Sequence, residues 1–399
     1  MTKIFLKSGR DESLKRFHPW VFSGAIHHIE GKPAEGDIVE VFSSGGTLLG
    51  CGHYQIDSIS VKILSFDSLA LSPDFWKVRI GAAYEMRTAM GLTDSATTNA
   101  YRLVHCEGDS LPGLIIDFYN GTAVIQAHSA GMFLSREKIV EALKYVYGPK
   151  LVAVYNKSSG TTPLKAGLKI ADGYLYGTSL LPVQILENGH LFSVDWESGQ
   201  KTGFFLDQRE NRLLVKHYSG GRRVLNLFCY TGGFSIYALA GGASSVDSVD
   251  SSQKAVELLE SNVALNRTAG LFTTDVPHRG ICEDAIEYVK KCSANQYDMM
   301  IVDPPAFAKH RGAVSNALRA YQRLNAAAIE RVAPGGIIFT YSCSQVVDKI
   351  VFAQAIFSAA AQTGRNVKIL HRLSQPSDHP VNIYHPEGEY LKGLVLYVE

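Results

Sequence analysis

The sequence lacks the features that mark membrane, secreted or metal-binding proteins. It has no run of 18 apolar residues, and its first residues do not form a signal-peptide pattern, so a cytoplasmic protein is expected. Its six cysteines are scattered without a C-x-x-C pair or a His/Cys cluster, which indicates reduced thiols and predicts no metal site. The dinucleotide fingerprint G-x-G-x-x-G is absent, which disfavours a redox cofactor. The net charge is only +1, so any nucleic-acid contact must come from a local basic surface.

The length and the order of apolar segments predict a multidomain α/β protein. With 399 residues, 46% of them hydrophobic and 19% charged, the chain is too long for one compact core. Short alternating strands predict a small β-rich domain over residues 1–70, and mixed helical and strand patterns predict an α+β domain over residues 71–190. From residue 191 onwards, buried strands alternate with helices. This order predicts a doubly wound, largely parallel sheet over residues 191–399.

The N-terminal segment interleaves basic and aromatic residues. Such a mixture suits phosphate contact and base stacking in RNA binding. On composition alone, a solvated charged face beside a core tryptophan is the favoured interpretation. The candidate RNA-binding residues are Lys7, Arg10, Arg16, His18 and Trp20.

A nucleoside site is predicted between residues 224 and 250. Residues 224–228 form a short apolar run typical of a buried strand, and the glycines that follow allow a sharp turn close to a ligand. A helix is expected from Phe234, and a second strand ends at Asp250, which follows Gly232 by 18 residues. A strand, a glycine turn at a helix N-terminus and a carboxylate about 20 residues later describe a site in which the acid binds ribose hydroxyls.

The same stretch resembles motif I of S-adenosylmethionine (SAM) methyltransferases of the Asp-Leu-Phe-Cys-Gly-x-Gly-x-Phe kind. Asn226 stands where that motif has an acid, and Tyr230 replaces its first glycine. The resemblance implies SAM as the cofactor. The residues expected to bind it here are Phe228, Tyr230, Thr231, Gly232, Gly233, Phe234, Asp250 and Ser251.

Two further segments are candidates for contact with the ends of SAM. Asp284 follows the third strand of the predicted sheet, where a carboxylate can accept the amino proton of adenine. A helix over residues 208–217, capped by Asp207, would lie across the methionine end, where Gln208 or Arg209 would bind the carboxylate of SAM. For each residue taken singly, an exposed capped helix is an equally good interpretation.

Asp303 follows the next buried strand and begins the segment Asp303-Pro304-Pro305, which resembles methyltransferase motif IV. The two prolines fix the backbone and remove two N–H donors, leaving a stiff turn with an acid at the methyl end of the cofactor. An aspartate there can contact SAM, and it can hydrogen-bond or protonate a ring nitrogen or accept an exocyclic amine.

Cys343 follows the strand predicted over residues 337–341 and lies between two serines. The C5 carbon of a pyrimidine is too weak a nucleophile to take a methyl group directly. Addition of a thiolate at C6 turns C5 into an enamine carbon, which can attack the sulfonium methyl group of SAM; a base then removes the C5 proton and the thiolate leaves. We therefore predict Cys343 and Asp303 as the catalytic pair.

Five segments together are similar to the RlmI family of SAM-dependent 23S rRNA cytosine-C5 methyltransferases. The resemblance implies an N-terminal PUA-like RNA-binding domain, a central α+β domain and a Rossmann-like catalytic domain. It also implies contact of the basic N-terminus with RNA, a nucleophile at Cys343 because Pro304-Pro305 occupy the alternative cysteine position, and a homodimer as one oligomeric state. The segments are F-H-P-W-V-F-S-G-A at 17–25, K-T-G-F-F-L-D-Q-R at 201–209, Y-T-G-G-F at 230–234, D-P-P at 303–305 and S-C-S at 342–344.

Three alternatives stay open at this point. Methylation of a base nitrogen uses a similar Asp-Pro-Pro segment without a cysteine, and uracil C5 is a second target for the same thiolate chemistry. A PUA-like module with a degenerate motif I is also compatible with a ribosome-assembly factor that binds RNA but not SAM. An unstacked base is needed in every enzymatic case, so single-stranded or unassembled 23S rRNA is the expected partner.

Overall fold

The computed structural model describes residues 1–163, 168–272 and 275–399, and contacts divide the chain into two compact units. Unit 1 comprises Met1–Leu186, Val194–Leu206 and Ser377–Gly388. Unit 2 comprises Glu187–Ser193, Asp207–Pro376 and Glu389–Glu399. Within the described ranges, no helix combines the length and the apolar character needed to span a bilayer.

The first sheet of unit 1 is built from short strands whose alternate residues face a core. Its strand order is β2-β6-β5-β4-β1-β3, and the β1–β4 pair is parallel. Ile4, Val39, Val41, Val61 and Ile63 form part of its buried cluster, as expected for a period of two along each strand. The elements are β1 (Thr2–Leu6), α1 (Glu12–Lys15), β2 (Trp20–Phe22), β3 (Ile26–Glu30), β4 (Ile38–Phe42), β5 (Leu48–Tyr54) and β6 (Ile59–Ser65).

The second sheet of unit 1 has the order β11-β10-β9-β8-β7 and packs with α2 and α4. Tyr101 of β7 and Tyr147 of α4 are joined by a hydrogen bond of 3.0 Å between their buried hydroxyls. The elements are α2 (Phe75–Ala89), β7 (Ala100–His105), β8 (Leu114–Tyr119), β9 (Thr122–Ala127), α3 (Ala130–Leu134), α4 (Arg136–Tyr147), β10 (Ala153–Asn156) and β11 (Gly173–Tyr176). Two more strands follow in the chain, β12 (Val183–Glu187) and β13 (His190–Val194).

The main sheet of unit 2 has the order β16-β15-β14-β17-β18-β20-β19. Strands β14 to β18 are parallel, and β20 is antiparallel to both β18 and β19. The elements are α5 (Arg209–Tyr218), β14 (Arg223–Leu227), α6 (Gly233–Ala240), β15 (Ser245–Asp250), α7 (Gln253–Thr268), β16 (His278–Cys282), α8 (Ala285–Lys291), β17 (Met299–Val302), α9 (Val314–Arg331), β18 (Gly336–Ser342), α10 (Lys349–Thr363), β19 (Val367–Ser374) and β20 (Lys392–Val398).

The direction of strand succession reverses between β14 and β17. From β14 the chain first adds β15 and β16 on one side, and then returns to add β17 and β18 on the other. In open α/β sheets, ligands bind at such a reversal, outside the carboxyl ends of the strands. The order of the sheet therefore points to the ends of β14 and β17 as the binding crevice.

The multidomain α/β prediction is confirmed, whereas the domain boundaries after residues 70 and 190 stay a prediction. One local detail differs: the helix expected over residues 208–217 is observed as Arg209–Tyr218, and capping by Asp207 stays a prediction. Leu206–Gln208 form a 3₁₀ turn and α5 begins only at Arg209, which puts Gln208 at the N-cap position. The Asp207 carboxylate accepts a hydrogen bond of 2.8 Å from the Tyr390 hydroxyl.

Candidate functional site

The turn that follows β14 has an unusual backbone. Phe228, Tyr230 and Gly232 all have positive φ, with values of 59°, 46° and 85°. Left-handed conformations are unfavourable for residues with a Cβ, and they cluster at ligand-binding sites where the surrounding structure holds them. At Gly232 a Cβ would lie 2.2 Å from Leu259 Cδ1, so only glycine fits. The turn is therefore a close-packed cradle at the end of the first strand, as a nucleoside site requires.

Asp250 joins this turn to the end of β15. Its Oδ2 accepts the Tyr230 N–H at 2.9 Å, and its Oδ1 accepts the Ser252 N–H at 2.9 Å. A carboxylate oxygen has two acceptor positions, so both oxygens retain capacity for ribose hydroxyls. Ser251 lies beside it and is exposed. Asp250, the predicted ribose ligand, and Ser251, a further predicted cofactor contact, thus stand at the carboxyl edge of the sheet.

The rest of motif I is held by packing. The Asn262 side chain donates a hydrogen bond of 3.0 Å to the Thr231 carbonyl, and Gly233 begins α6. The ring of Phe234 is buried and stacks on Tyr341 with centroids 5.5 Å apart. The Phe234 side chain is thus part of the packed core.

A buried ion pair packs against the turn and was not predicted from the sequence. Arg212 donates through Nε and Nη2 to the two carboxylate oxygens of Glu187, each at 2.8 Å, and both side chains are buried. The Tyr237 hydroxyl adds a hydrogen bond of 3.0 Å to the same carboxylate. A Cβ at Gly233 would lie 3.1 Å from Arg212 Nη1, so the guanidinium supports the start of α6 directly.

Asp284 follows β16 and is exposed. Its Oδ1 accepts the N–H groups of Ile286 and Glu287, each at 2.9 Å, and thereby caps α8. Because capping occupies one carboxylate oxygen, the other stays available for the adenine amino group. Asp284 therefore caps α8, and its contact with adenine stays a prediction.

Gln208 contacts the motif IV aspartate. Its Nε2 donates a hydrogen bond of 3.1 Å to Asp303 Oδ2, and its Oε1 accepts one of 2.6 Å from the Asn211 side chain. Gln208 is buried, and so is Arg209. The structure thus assigns Gln208 a contact that the sequence did not suggest, whereas its predicted contact and that of Arg209 with the methionine carboxylate stay predictions.

Asp303 and Cys343 follow neighbouring parallel strands. In the register of β17 and β18, Val302 pairs with Thr340, so both residues emerge at the same carboxyl edge. Cys343 as a residue is half-buried. The arrangement brings the two predicted catalytic residues to one end of the sheet, beside the motif I turn.

The serines on either side of Cys343 are buried and hydrogen-bonded. The Ser342 hydroxyl donates to the Tyr321 hydroxyl at 2.8 Å, and the Ser344 hydroxyl donates to the Ala308 carbonyl at 2.7 Å. Burial raises the pKa of Tyr321 to about 12, so this phenol stays neutral at physiological pH. These bonds fix the backbone on both sides of Cys343.

Lys392 lies opposite this segment on β20, where it is the cross-strand partner of Ser342. Its ammonium donates to the carbonyls of Ser344 and Val347, each at 2.5 Å. Burial lowers the pKa of Lys392 to about 8, while the charge of a Cys343 thiolate acts to raise it. A buried cation thus stands against the loop that carries the predicted nucleophile.

The basic residues predicted to bind RNA lie on the surface of unit 1. Lys7, Arg10 and Arg16 are exposed, and Lys7 Nζ donates a hydrogen bond of 2.9 Å to a backbone carbonyl. Two aromatic residues that follow them in the chain, Phe17 and Phe22, are 48% and 47% exposed. The sequence analysis did not select these phenylalanines, although they belong to the same basic and aromatic segment.

His18 and Trp20 are less available for RNA than the sequence suggested. The Trp20 indole N–H donates to Glu107 at 2.9 Å, and its ring contacts His385 with centroids 4.3 Å apart. His18 Nε2 lies 3.7 Å from a carboxylate oxygen of Glu387. Their contact with RNA stays a prediction.

Known proteins give an independent view of the chain. A family model for S-adenosylmethionine-dependent methyltransferases matches residues 167–394, and a PUA-like domain model matches residues 4–66. A protein of Aeromonas hydrophila named ribosomal RNA large subunit methyltransferase I is 41% identical over 98% of both chains. A protein of Alteromonas mediterranea with the same name is 40% identical over 99% of this chain and 98% of its own.

Solved structures agree with these sequence matches. One, described as a SAM-dependent methyltransferase from Streptococcus mutans, is 25% identical with a TM-score of 0.82 over the full length of both chains. Another, a methyltransferase complexed with SAH, is 25% identical with a TM-score of 0.84, also over both full chains. SAM is the cofactor, and the strained turn and the free acceptor positions at the strand ends suit its nucleoside. The prediction of a PUA-like domain joined to a SAM methyltransferase domain is confirmed, and the chain belongs to the RlmI family of SAM-dependent methyltransferases.

Proposed function

We propose that this protein methylates C5 of a cytosine in 23S rRNA through a covalent adduct between Cys343 and C6 of the base. The observation that carries the proposal is the position of Asp303 and Cys343 at the ends of adjacent parallel strands, with the cysteine partly accessible. The curated relatives named ribosomal RNA large subunit methyltransferase I support rRNA as the substrate.

The residues at this edge suit the formation and stabilisation of the covalent adduct. Attack of the Cys343 thiolate forms a sulfur–C6 bond and shifts electron density to C5. Asp303, held by the amide of Gln208, hydrogen-bonds or protonates the cytosine ring and so stabilises the charge of the adduct. When bound, SAM would supply the electrophilic methyl group that C5 takes up, so that C5 then carries both this methyl group and its proton. Loss of the C5 proton to a base then expels the thiolate and restores the aromatic ring.

The cofactor contacts are proposed for the residues at the ends of β14, β15 and β16. Asp250 binds the ribose, and Asp284 accepts the adenine amino group through the oxygen that does not cap α8. The backbone of the turn contacts the nucleoside, and Gly232 allows this turn to pack against Leu259. The further contacts of this set are Phe228, Tyr230, Thr231, Gly233, Phe234, Ser251, Gln208 and Arg209.

Recognition of rRNA is proposed for the exposed basic and aromatic surface of unit 1. Lys7, Arg10 and Arg16 contact phosphates, while Phe17 and Phe22 provide faces on which unpaired bases stack. The target cytosine must leave the stack to reach Cys343. A single-stranded or unassembled region of 23S rRNA in the cytoplasm is therefore the proposed substrate. A homodimer is the proposed oligomeric state, for which light scattering should give twice the chain mass.

The test is methylation of unmodified 23S rRNA in vitro, followed by mass analysis of the nucleosides. We expect 5-methylcytidine with the wild type, none with Cys343→Ala, and wild-type amounts with Cys282→Ala, which removes an exposed cysteine. N-methylated bases that persist in Cys343→Ala would instead indicate a base N-methyltransferase. Formation of 5-methyluridine would identify uracil as the target. Failure to bind SAM in calorimetry would favour a non-catalytic RNA-binding assembly factor.

A further inference from the structure

Lys392 is a buried cation beside the loop that carries Cys343. Its side chain is only about 5% exposed, and among the described residues it forms no ion pair with a carboxylate. Its ammonium group, which has three N–H donors, donates hydrogen bonds to two backbone carbonyls, those of Ser344 and Val347. A buried ammonium without a paired anion is costly, so its presence at this position calls for a physical reason.

The register of the sheet places this charge close to the nucleophile. Lys392 is the cross-strand partner of Ser342, the residue before Cys343, and it binds the carbonyl of the residue after it. The lysine thus contacts the chain on both sides of the cysteine. A cation next to a thiol favours the thiolate, which is the nucleophilic form.

We propose that Lys392 is a positioning residue that holds the Cys343 loop and stabilises the Cys343 thiolate. This inference rests on the proposed function, in which Cys343 is the nucleophile. The thiol proton passes to the solvent, and Lys392 stays protonated and supplies the compensating charge. The same ammonium, through its bonds to Ser344 and Val347, keeps the sulfur at the edge of the sheet. When the base leaves, the free thiolate is again balanced by the lysine.

The experiment measures the alkylation rate of each cysteine by iodoacetamide in the full-length protein, with peptides resolved by mass spectrometry. Lys392→Met keeps the length and apolar stem of the side chain but removes its charge. We expect Cys343 to react about tenfold more slowly at pH 7 in this variant, and its pH profile to move to higher pH. Cys282, which is exposed, serves as an internal control and should react at an unchanged rate.

Two further variants separate charge from structure. Lys392→Arg retains a cation and should keep most of the Cys343 reactivity, while Lys368→Met removes an exposed ammonium from the neighbouring strand β19 and should change nothing. A Lys392→Met variant with reduced thermal stability but an unchanged pH profile of Cys343 alkylation would overturn the inference. Methylation that survives in Cys343→Ala would instead refute the proposed function, so the two failures are distinguishable.

Discussion

Gly232 provides the sharpest test of the motif I cradle. The substitution Gly232→Ala adds a Cβ at a residue with φ of 85°, at a point 2.2 Å from Leu259 Cδ1. Gly242→Ala is a matched control, because Gly242 has a φ of 81° but its Cβ would meet only the Gly220 Cα, at 3.9 Å. Both variants place a residue with a Cβ in a left-handed backbone conformation, and only Gly232→Ala also creates a steric clash.

The expected magnitudes follow from these two contributions. A left-handed conformation costs a residue with a Cβ about 1–2 kcal/mol, and overpacking a well-packed site costs about 1–3 kcal/mol. We therefore expect Gly242→Ala to lose about 1–2 kcal/mol and Gly232→Ala to lose about 2–5 kcal/mol. Combining Gly232→Ala with Leu259→Ala should cost less than the sum of the two single variants, because truncation of Leu259 removes the clash.

Hydrogen exchange measured by mass spectrometry on peptides from β14 and α6 gives the local opening free energy. Tryptophan fluorescence provides a control, since all three tryptophans, Trp20, Trp76 and Trp196, lie in unit 1. SAM affinity, measured by calorimetry, should fall in Gly232→Ala and stay close to wild type in Gly242→Ala. Equal losses of protection in the two glycine variants, or an additive double variant, would refute the assignment of Gly232 to a close-packed cradle.

The remaining predictions concern the ion pair, a buried histidine and the RNA surface. Glu187→Gln removes the carboxylate that accepts two hydrogen bonds from the buried Arg212 guanidinium, so the opening free energy of unit 2 in hydrogen exchange should fall by about 3–5 kcal/mol; wild-type protection would contradict this. Burial lowers the pKa of His53 to about 4, so the unfolded chain binds more protons than the folded one between pH 6.5 and 4. The His53 contribution to stability should thus fall by about 2 kcal/mol from pH 6.5 to pH 5, measured by urea unfolding with tryptophan fluorescence, and His53→Gln should reduce the slope. Phe22→Ala should weaken binding to single-stranded rRNA by about 1–3 kcal/mol in fluorescence anisotropy, while Tyr145→Ala, which removes an exposed aromatic on α4, should have no effect.

Much of the sheet in unit 2 was predictable because its signals are local. The apolar runs that became β14, β17 and β18 are short, bounded by turns and followed by polar residues. A parallel sheet places all such residues at one edge, so the sequence alone predicted Asp303 and Cys343 together. The register of β17 and β18 confirms that their strands are neighbours.

The supporting residues were not predictable because they depend on pairing between distant segments. Lys392 reaches Ser342 only through the antiparallel register of β18 and β20. Glu187 and Arg212 are 25 residues apart in the sequence, and this spacing does not correspond to a helical or strand periodicity. From the sequence alone, a charged residue is expected to be exposed. Only the folded structure shows that these charged side chains are buried and hydrogen-bonded.

The segment Ser377–Gly388 has a consequence for biosynthesis. It belongs to unit 1, although the strands on either side of it, β19 and β20, belong to the sheet of unit 2. The side chain of buried Asp378 in this segment accepts a hydrogen bond of 2.9 Å from the Arg102 backbone N–H. The backbone carbonyl of Asp378 accepts one of 2.7 Å from the Arg87 guanidinium. Because a ribosome adds residues in order, unit 1 cannot close around these arginines until the segment has emerged. The two units therefore reach completion together, late in translation, and neither can be released as an independent fragment by a single cut.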